Sequence, residues 1–398
     1  MKGIEGGITA AKGYKTGAVH SGIRASQSKK DLAVIISEVP CQAAAVYTSN
    51  IVKAAPLHIT KEHLADGTAQ AVVINSGNAN ACAPRGEENA LREAGAAARL
   101  LGLKTEDVLV ASTGVIGQEL PIEVIETAMG QIVLTEDSTD TAKAIMTTDT
   151  KLKQAAVEFE LDGKTVHIGG IAKGSGMIHP NMGTMLCFVT TDASVNQTVL
   201  QQSLSKIVKK TFNRISVDGD TSTNDMCIVL ANGLAGNEEI TQENAVFDQA
   251  LESVMKDLAV MIASDGEGAS RLIISTVVNA ADEKQAETLA MSVASSSLFK
   301  AAMFGSDANW GRVLCAMGYS GAKFDPEKVD VLFQSDAGSI EVAKNGRGLD
   351  FDEDRAKKIL SRDQVQVIMN LHEGDASVTC WGCDLTYDYV KINGDYRS

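Results

Sequence analysis

The sequence predicts a mixed α/β (α+β) fold in which helices cover the β-sheets. Short, almost wholly apolar runs alternate with longer segments whose apolar residues recur every three or four positions. The short runs are typical of buried strands, and the periodic segments are typical of helices with one face on a core. Hydrophobic residues make up 44% of the 398 residues and charged residues 22%, so disorder as the main state is excluded.

Two strands and a helix are predicted in the first 120 residues. Residues 71–74 and 108–111 are continuous apolar runs, and residues 87–101 form an Ala-rich segment with helical spacing. Small polar residues follow each strand, at 75–82 and at 112–117. We predict each of these stretches as a loop that follows its strand, and the loop at 75–82 could line a polar pocket or form a plain turn.

The remaining elements follow the same two patterns. Apolar runs predict strands, and apolar residues at helical spacing predict helices. The predicted strands are 185–189, 226–230, 272–278, 329–333 and 378–392, and the predicted helices are 199–208, 247–262 and 353–361. The composition turns polar near residue 282, which suggests a smaller lobe over about residues 282–375.

The charge, the apolar runs and the cysteine content indicate which partners and which cellular compartment suit the protein. Thirty-six basic against 51 acidic residues give a formal charge of −15, which disfavours nucleic-acid and anionic-lipid partners. No apolar run reaches the roughly 18 residues of a membrane span, and residues 1–15 lack the apolar core of a signal peptide. The seven scattered cysteines predict reduced thiols and a cytoplasmic protein.

Metal binding is not indicated by any motif. The six histidines lack metal-ligand spacing, and Cys380 and Cys383 have no second Cys pair that would complete a zinc site. We therefore predict two inert strand cysteines.

One stretch of the sequence suggests covalent chemistry. A polar, glycine-rich segment begins at Lys173 and runs into an apolar strand that starts at Thr184. The Thr184 hydroxyl could attack the carbonyl of Gly183, and hydrolysis of the resulting ester would free a chain beginning with Thr184. The new α-amine, with an ordinary pKa of about 7.7–8.0, could then act as base for that hydroxyl. On chemistry alone, a plain β-branched residue at a strand start is the favoured interpretation.

Three further loops each have two interpretations. Glycines at 112–117 could present N–H groups to an oxyanion, or form an ordinary turn. The acceptor-rich segment 218–225 fails the calcium-loop pattern and indicates an active-site loop or a capped turn. The segment 264–269 could aim the Glu267 carboxylate at a substrate ammonium, or cap a helix with glycine.

Taken together, nine stretches resemble the ornithine acetyltransferase family of arginine biosynthesis, the bifunctional glutamate N-acetyltransferases. Each stretch is weak alone, but the ordered set is specific and reverses the interpretation of Thr184. The stretches are 43–50, 75–82, 112–117, 147–150, 173–188, 213–225, 265–270, 304–312 and 389–398.

The resemblance implies self-cleavage between Gly183 and Thr184, giving an α chain of residues 1–183 and a β chain of residues 184–398. Many family members have Ala where this chain has Gly183. Thr184 would carry acetyl from N2-acetylornithine to glutamate by a ping-pong route, and Thr113 and Gly114 would form the oxyanion hole. The substrate-binding positions that match the family's are Thr150, Lys173, Thr184, Glu267, Asn393 and Ser398.

The same resemblance implies a sandwich of two stacked sheets flanked by helices, similar to the N-terminal-nucleophile hydrolases and the DmpA-like enzymes, with a smaller C-terminal lobe. It implies an α2β2 assembly and no metal or cofactor, and it leaves open whether acetyl-CoA also donates acetyl. The alternatives are a self-processing N-terminal-Thr aminopeptidase or amidohydrolase of this fold, a relative with another acyl acceptor, and a non-enzymatic thiol or metal-binding protein built on Cys380 and Cys383.

Overall fold

The computed structural model describes residues 1–26, 28–179 and 185–394. The chain divides into two compact units. The first is drawn from Met1–Gly174, Pro180–Asn213 and Thr221–Ala259, and the second from Ser175–His179, Arg214–Asp220 and Val260–Ser398.

The strands are β1 (Lys2–Ile4), β2 (Tyr14–Val19), β3 (Leu32–Tyr47), β4 (Thr68–Asn78), β5 (Val108–Val115), β6 (Lys153–Leu161), β7 (Lys164–Lys173), β8 (Leu186–Thr191), β9 (Ile215–Ser216), β10 (Met226–Ala231), β11 (Leu272–Ala280), β12 (Asp330–Ser335), β13 (Gly338–Lys344), β14 (Arg347–Gly348), β15 (Gln364–Asn370) and β16 (Ala376–Cys383). The helices are α1 (Ala55–His63), α2 (Gly86–Leu101), α3 (Ile122–Met129), α4 (Thr139–Ala144), α5 (Gln197–Lys210), α6 (Ala245–Ser264), α7 (Glu283–Ser295), α8 (Ser297–Phe304), α9 (Trp310–Gly318), α10 (Glu353–Leu360) and α11 (Tyr387–Gly394).

The first unit contains a sheet in the order β1-β6-β7-β8-β10-β3-β4-β5, with β2 paired to β3. Its strands bury both faces, as the continuous apolar runs predict. Along β4, Val72 and Ile74 join one apolar core, while Ala71 and Val73 join another beside the Ala-rich helix α2. This two-residue alternation follows from the pleat of the strand.

The second unit contains a sheet in the order β14-β13-β12-β15-β11-β16-β9. Its central strand β11 pairs in parallel with β15 and antiparallel with β16. Residues of α7, α8, α9 and α10 complete its apolar core, in which Phe299 stacks on Phe333 with ring centroids 6.4 Å apart. The predicted mixed α/β class, with two sheets flanked by helices, is confirmed.

Two details of the predicted elements are wrong. The small residues at 75–82 and 112–117 do not all form loops, because β4 continues to Asn78 and β5 to Val115. Small side chains there let the two backbones keep pairing in parallel, with Gly77 opposite Gly114.

The predicted strand 378–392 is also wrong beyond Cys383, since α11 follows it. Tyr, Val and Ile favour strands by propensity. Here the strand ends where the buried Asp384 carboxylate accepts hydrogen bonds from the backbone N–H groups of Ser270 and Arg271.

Cys380 and Cys383 both lie buried in β16, and burial raises the pKa of both thiols. Among the residues with described coordinates, no helix is both long and apolar enough to cross a membrane.

In the first unit, the carboxyl group of Glu93 makes the free energy of unfolding depend on pH. Glu93 on α2 is fully buried, and within the described structure neither of its carboxyl oxygens has a hydrogen-bond partner. Burial raises its pKa to about 8. As pH rises above the ordinary glutamate value of about 4.3, the unfolded chain releases this proton and the folded chain keeps it. The contribution of Glu93 to stability therefore falls with rising pH until about pH 8.

We expect Glu93→Gln to remove this fall, because glutamine does not titrate. Between pH 5.5 and 7.5 the free energy of unfolding of the wild type should drop by about 2–3 kcal/mol relative to the variant. Urea unfolding at several pH values measures the difference. Glu88→Gln, on the exposed side of the same helix, is the charge control and should follow the wild type. If the free energy of unfolding changed equally with pH in the wild type and in Glu93→Gln, the prediction would be contradicted.

Candidate active site

The predicted oxyanion residues lie where β4 and β5 run side by side. Thr113 is opposite Ser76, and Gly114 is opposite Gly77. Gly114 has a φ of 138°, and a Cβ there would lie 2.5 Å from the Asn78 nitrogen and closer still to the carbonyl carbon of Gly77. Only glycine fits this close approach, so the structure explains the glycine at this position.

Lys173, the last residue of β7, extends its side chain to Thr113. Its side chain is buried, and its Nζ donates a hydrogen bond to Thr113 Oγ1 over 3.2 Å. Burial lowers the pKa of Lys173, against the opposing effect of the Asp149 carboxylate. Because the ammonium binds a lone pair of the Thr113 oxygen, the hydroxyl proton can be donated to a further acceptor.

The Asp149 carboxylate lies beside Lys173 and Lys153 and offsets their positive charge. Its carboxylate accepts hydrogen bonds from Lys153 Nζ at 2.7 Å and from the Gly174 N–H at 2.6 Å. Burial works against its ionisation, but Lys173, Lys153 and the Gly174 N–H together lower the pKa of Asp149 to about 2. Asp149 is therefore a fixed anion beside two lysines. Thr150, the predicted substrate-binding residue, follows it directly and is exposed.

Asn224 connects the end of β4 to the part of β5 that carries Thr113 and Gly114. Its buried amide donates to the carbonyl oxygens of Ala79 at 2.6 Å and of Ser112 at 2.9 Å. The second bond fixes the peptide directly before Thr113.

The buried Asp225 carboxyl also acts on the pKa of Lys173. The sequence did not identify Asp149, Lys153, Asn224 or Asp225 individually as neighbours of Thr113 and Lys173. The available signal was that 147–150 and 218–225 are polar stretches beside apolar strands.

The second unit brings together two other predicted residues. The Asn393 amide on α11 donates to Glu267 Oε2 over 2.7 Å, and the Glu267 side chain is buried. The backbone N–H of Glu267 donates to the Ser175 carbonyl over 2.8 Å. Tyr389 donates its hydroxyl proton to Asp218 Oδ2 over 3.2 Å, which anchors the same helix.

Apart from Thr150, the predicted site residues fall into three groups. The structure brings Thr113, Gly114 and Lys173 together in the first unit, and Glu267 and Asn393 together in the second. Gly183, Thr184 and Ser398 lie outside the described residues. The described part of the chain contains no cluster of three or more His, Cys, Asp or Glu side chains suited to a metal ion.

Comparison with known proteins gives one consistent result. The family model described as "ArgJ family" matches residues 15–398. The chain is 51% identical over 399 residues to the arginine biosynthesis bifunctional protein ArgJ 1 of Clostridium acetobutylicum, covering 98% of this chain and 97% of that protein. It is 49% identical over 395 residues to the arginine biosynthesis bifunctional protein ArgJ of Thermotoga neapolitana, covering 97% of this chain and 99% of that protein.

One solved structure shares the fold at high sequence identity. It is the arginine biosynthesis bifunctional protein ArgJ of Bacillus halodurans, which is 47% identical with a TM-score of 0.51. The match covers 53% of this chain and 99% of that chain.

Proposed function

The chain belongs to the ArgJ family, and from this premise we propose that it transfers acetyl from N2-acetylornithine to glutamate, as an acetyltransferase of arginine biosynthesis. The observation that carries the proposal is the cluster of Thr113, Gly114 and Lys173 in a chain that matches the family over almost its full length. A hydroxyl and a backbone N–H at one point are the donors that acyl transfer requires for its tetrahedral intermediate.

The proposed reaction has two halves. The Thr184 hydroxyl attacks the acetyl carbonyl of N2-acetylornithine, and its proton passes to the α-amine that cleavage after Gly183 creates. The intermediate collapses to acetyl-Thr184 as the C–N bond breaks, and ornithine leaves with the proton. The amine of glutamate then attacks acetyl-Thr184, the ester C–O bond breaks, and the proton lost by that amine returns to the Thr184 oxygen, which gives N-acetylglutamate and the free hydroxyl. In both halves Thr113 and Gly114 stabilise the oxyanion, each donor contributing about 10²–10³ in rate.

The remaining predicted roles belong to substrate recognition. Lys173 is proposed to pair with a substrate carboxylate, in addition to holding Thr113. Glu267 is proposed to receive the side-chain ammonium of ornithine, a role supported by its burial and by the neutral Asn393 donor beside it. Thr150 and Ser398 are proposed as further polar contacts.

The acetyl acceptor, glutamate or water, distinguishes the proposed transferase from a hydrolase of the same fold. We expect ornithine release from N2-acetylornithine to rise at least tenfold when glutamate is added, with one N-acetylglutamate formed per ornithine. Chromatographic quantification of both products measures this. Release of acetate at an equal rate without glutamate would instead identify an amidohydrolase. The same assay with acetyl-CoA as the only donor decides whether the protein also acetylates glutamate from that source.

We further propose a cytoplasmic α2β2 assembly of the two cleaved chains. Light scattering on the purified protein should give twice the 41.9 kDa mass of one chain, and denaturing electrophoresis should separate the two fragments.

A further inference from the structure

Gly176 takes no part in the mechanism above, yet it lies directly against the carboxylate of Glu267. A Cβ at residue 176 would lie 2.5 Å from Glu267 Oε1 and closer still to Cδ and Oε2. The φ of Gly176 lies outside the left-handed range, so the backbone conformation does not require glycine there. Glycine is required because the Glu267 carboxylate occupies the space that a side chain would need.

The backbone on both sides of this contact is held in place. The Glu267 N–H donates to the carbonyl of Ser175 over 2.8 Å, which binds the residue before Gly176 to the chain at Glu267. On the other side, Gly268 packs on the first turn of α11, where a Cβ would lie only 2.6 Å from the Tyr389 nitrogen. A methyl group at residue 176 would therefore displace the Glu267 side chain rather than the backbone.

The Asp218 carboxylate joins the two elements that enclose Glu267. Its oxygens accept hydrogen bonds from the backbone N–H groups of Met177 and Ile178, over 2.5 Å and 2.8 Å. The Tyr389 hydroxyl on α11 donates to the same carboxylate over 3.2 Å. Burial and the negative charges of Asp218 and Glu267 raise the pKa of Tyr389, so its hydroxyl keeps the proton that it donates. The segment after Gly176 and helix α11 are thus fixed through one carboxylate.

We propose that Gly176 is a positioning residue, which sets the place of the Glu267 carboxylate and with it the selectivity for acyl donors that carry a side-chain ammonium. The inference rests on the proposed function, in which Glu267 receives the ammonium of ornithine. With only hydrogen atoms on the Gly176 Cα, the carboxylate stays where Asn393 donates to its Oε2 over 2.7 Å. The substrate class is an N-acetylated α-amino acid whose side chain ends in a cation.

An added methyl group at residue 176 is expected to move the charge and to leave the fold intact. Non-bonded carbon atoms stay about 3.5–4.0 Å apart, so a Cβ at this position would push the carboxylate away by about 1 Å. The carboxylate is the end of a flexible side chain, which can change rotamer at small cost. A misplacement of about 1 Å between a substrate and its binding group can lower the rate by about 10²-fold.

The test compares two donors that differ only in the side-chain amine, N2-acetylornithine and N-acetylnorvaline. For the wild type we expect kcat/KM to be about 10²-fold higher, or more, for N2-acetylornithine. In Gly176→Ala this ratio should fall by about 10–10²-fold, mainly through KM for N2-acetylornithine, while kcat/KM for N-acetylnorvaline changes by less than about threefold. Intact-mass spectrometry gives the cleaved fraction to which the rates are normalised.

A Glu267→Ala background separates positioning from a general structural effect. Without the Glu267 side chain, the atoms nearest to a Cβ at residue 176 are absent. Gly176→Ala should then change kcat/KM by less than about threefold for either donor. If Gly176→Ala alone does not fold, the double variant should fold, because the overlap is gone, and failure of both to fold would contradict the inference.

Gly318→Ala is the matched control in the second unit. Gly318 is the last residue of α9, and a Cβ there would meet no atom within 4 Å. This variant should keep the wild-type ratio between the two donors. Melting temperatures show which variants are folded.

Two kinds of result would overturn the inference and leave the proposed function intact. In the first, Gly176→Ala leaves the ratio unchanged or lowers kcat/KM equally for both donors. In the second, the wild type does not distinguish the donors, or the loss in Gly176→Ala is the same with and without the Glu267 carboxylate. A wild-type protein that releases no ornithine from N2-acetylornithine would instead remove the proposed function itself.

Discussion

Replacing Thr184 with Ala is expected to leave the chain as a single uncut species of 41.9 kDa and to abolish acetyl transfer. The hydroxyl has two proposed tasks, attack on the Gly183 carbonyl and formation of the acetyl ester, and alanine can perform neither. We expect the transfer rate to fall by about 10⁴-fold or more, as for other enzymes that lose their nucleophile. Intact-mass spectrometry measures the cleavage, and product chromatography measures the transfer.

Thr184→Ser is the matched control, because it retains a hydroxyl at the same atom. It should be cut and should transfer acetyl at a reduced rate. A wild-type chain that stays uncut would show that Thr184 is not processed, and the protein would then be a differently activated relative. A cut Thr184→Ala variant would place the nucleophile elsewhere.

The second large effect is expected from Gly114→Ala. The added Cβ would overlap the peptide between Gly77 and Asn78, and alanine is strained at a φ of 138°. We expect a loss of about 3 kcal/mol in the free energy of unfolding, from overpacking and backbone strain together. In the fraction that folds, the shifted N–H should cost a further factor of about 10² in kcat.

Gly130→Ala provides the control for this substitution. Gly130 has a φ of −67°, and a Cβ there would meet no atom within 4 Å. Its stability and kcat should match the wild type. Urea unfolding measures the stability of both variants, and steady-state kinetics measure their kcat. An unchanged melting temperature for Gly114→Ala would show that β4 and β5 do not approach as described.

The site was only partly predictable from the sequence. The resemblance located Thr113, Gly114 and Lys173 as separate positions in separate stretches. Their contact could not be derived, because Lys173 and Thr113 are 60 residues apart in the chain and lie on strands that four other strands separate in the sheet. The roles of all the predicted site residues remain predictions: Thr113, Gly114, Thr150, Lys173, Thr184, Glu267, Asn393 and Ser398.

The sequence by itself determined the fold class and the positions of seven of the sixteen strands and four of the eleven helices in the described residues. Runs such as 71–74 and the Ala-rich segment 87–101 carry local periodicity, and local periodicity reflects which faces are buried. Tertiary structure alone decided where strands end and which polar side chains turn inward. β5 extends past Ala111 because β4 pairs with it, and Asp225 is buried because strand register sets it beside Met185. Such contacts depend on neighbours distant in the chain, and no local pattern encodes them.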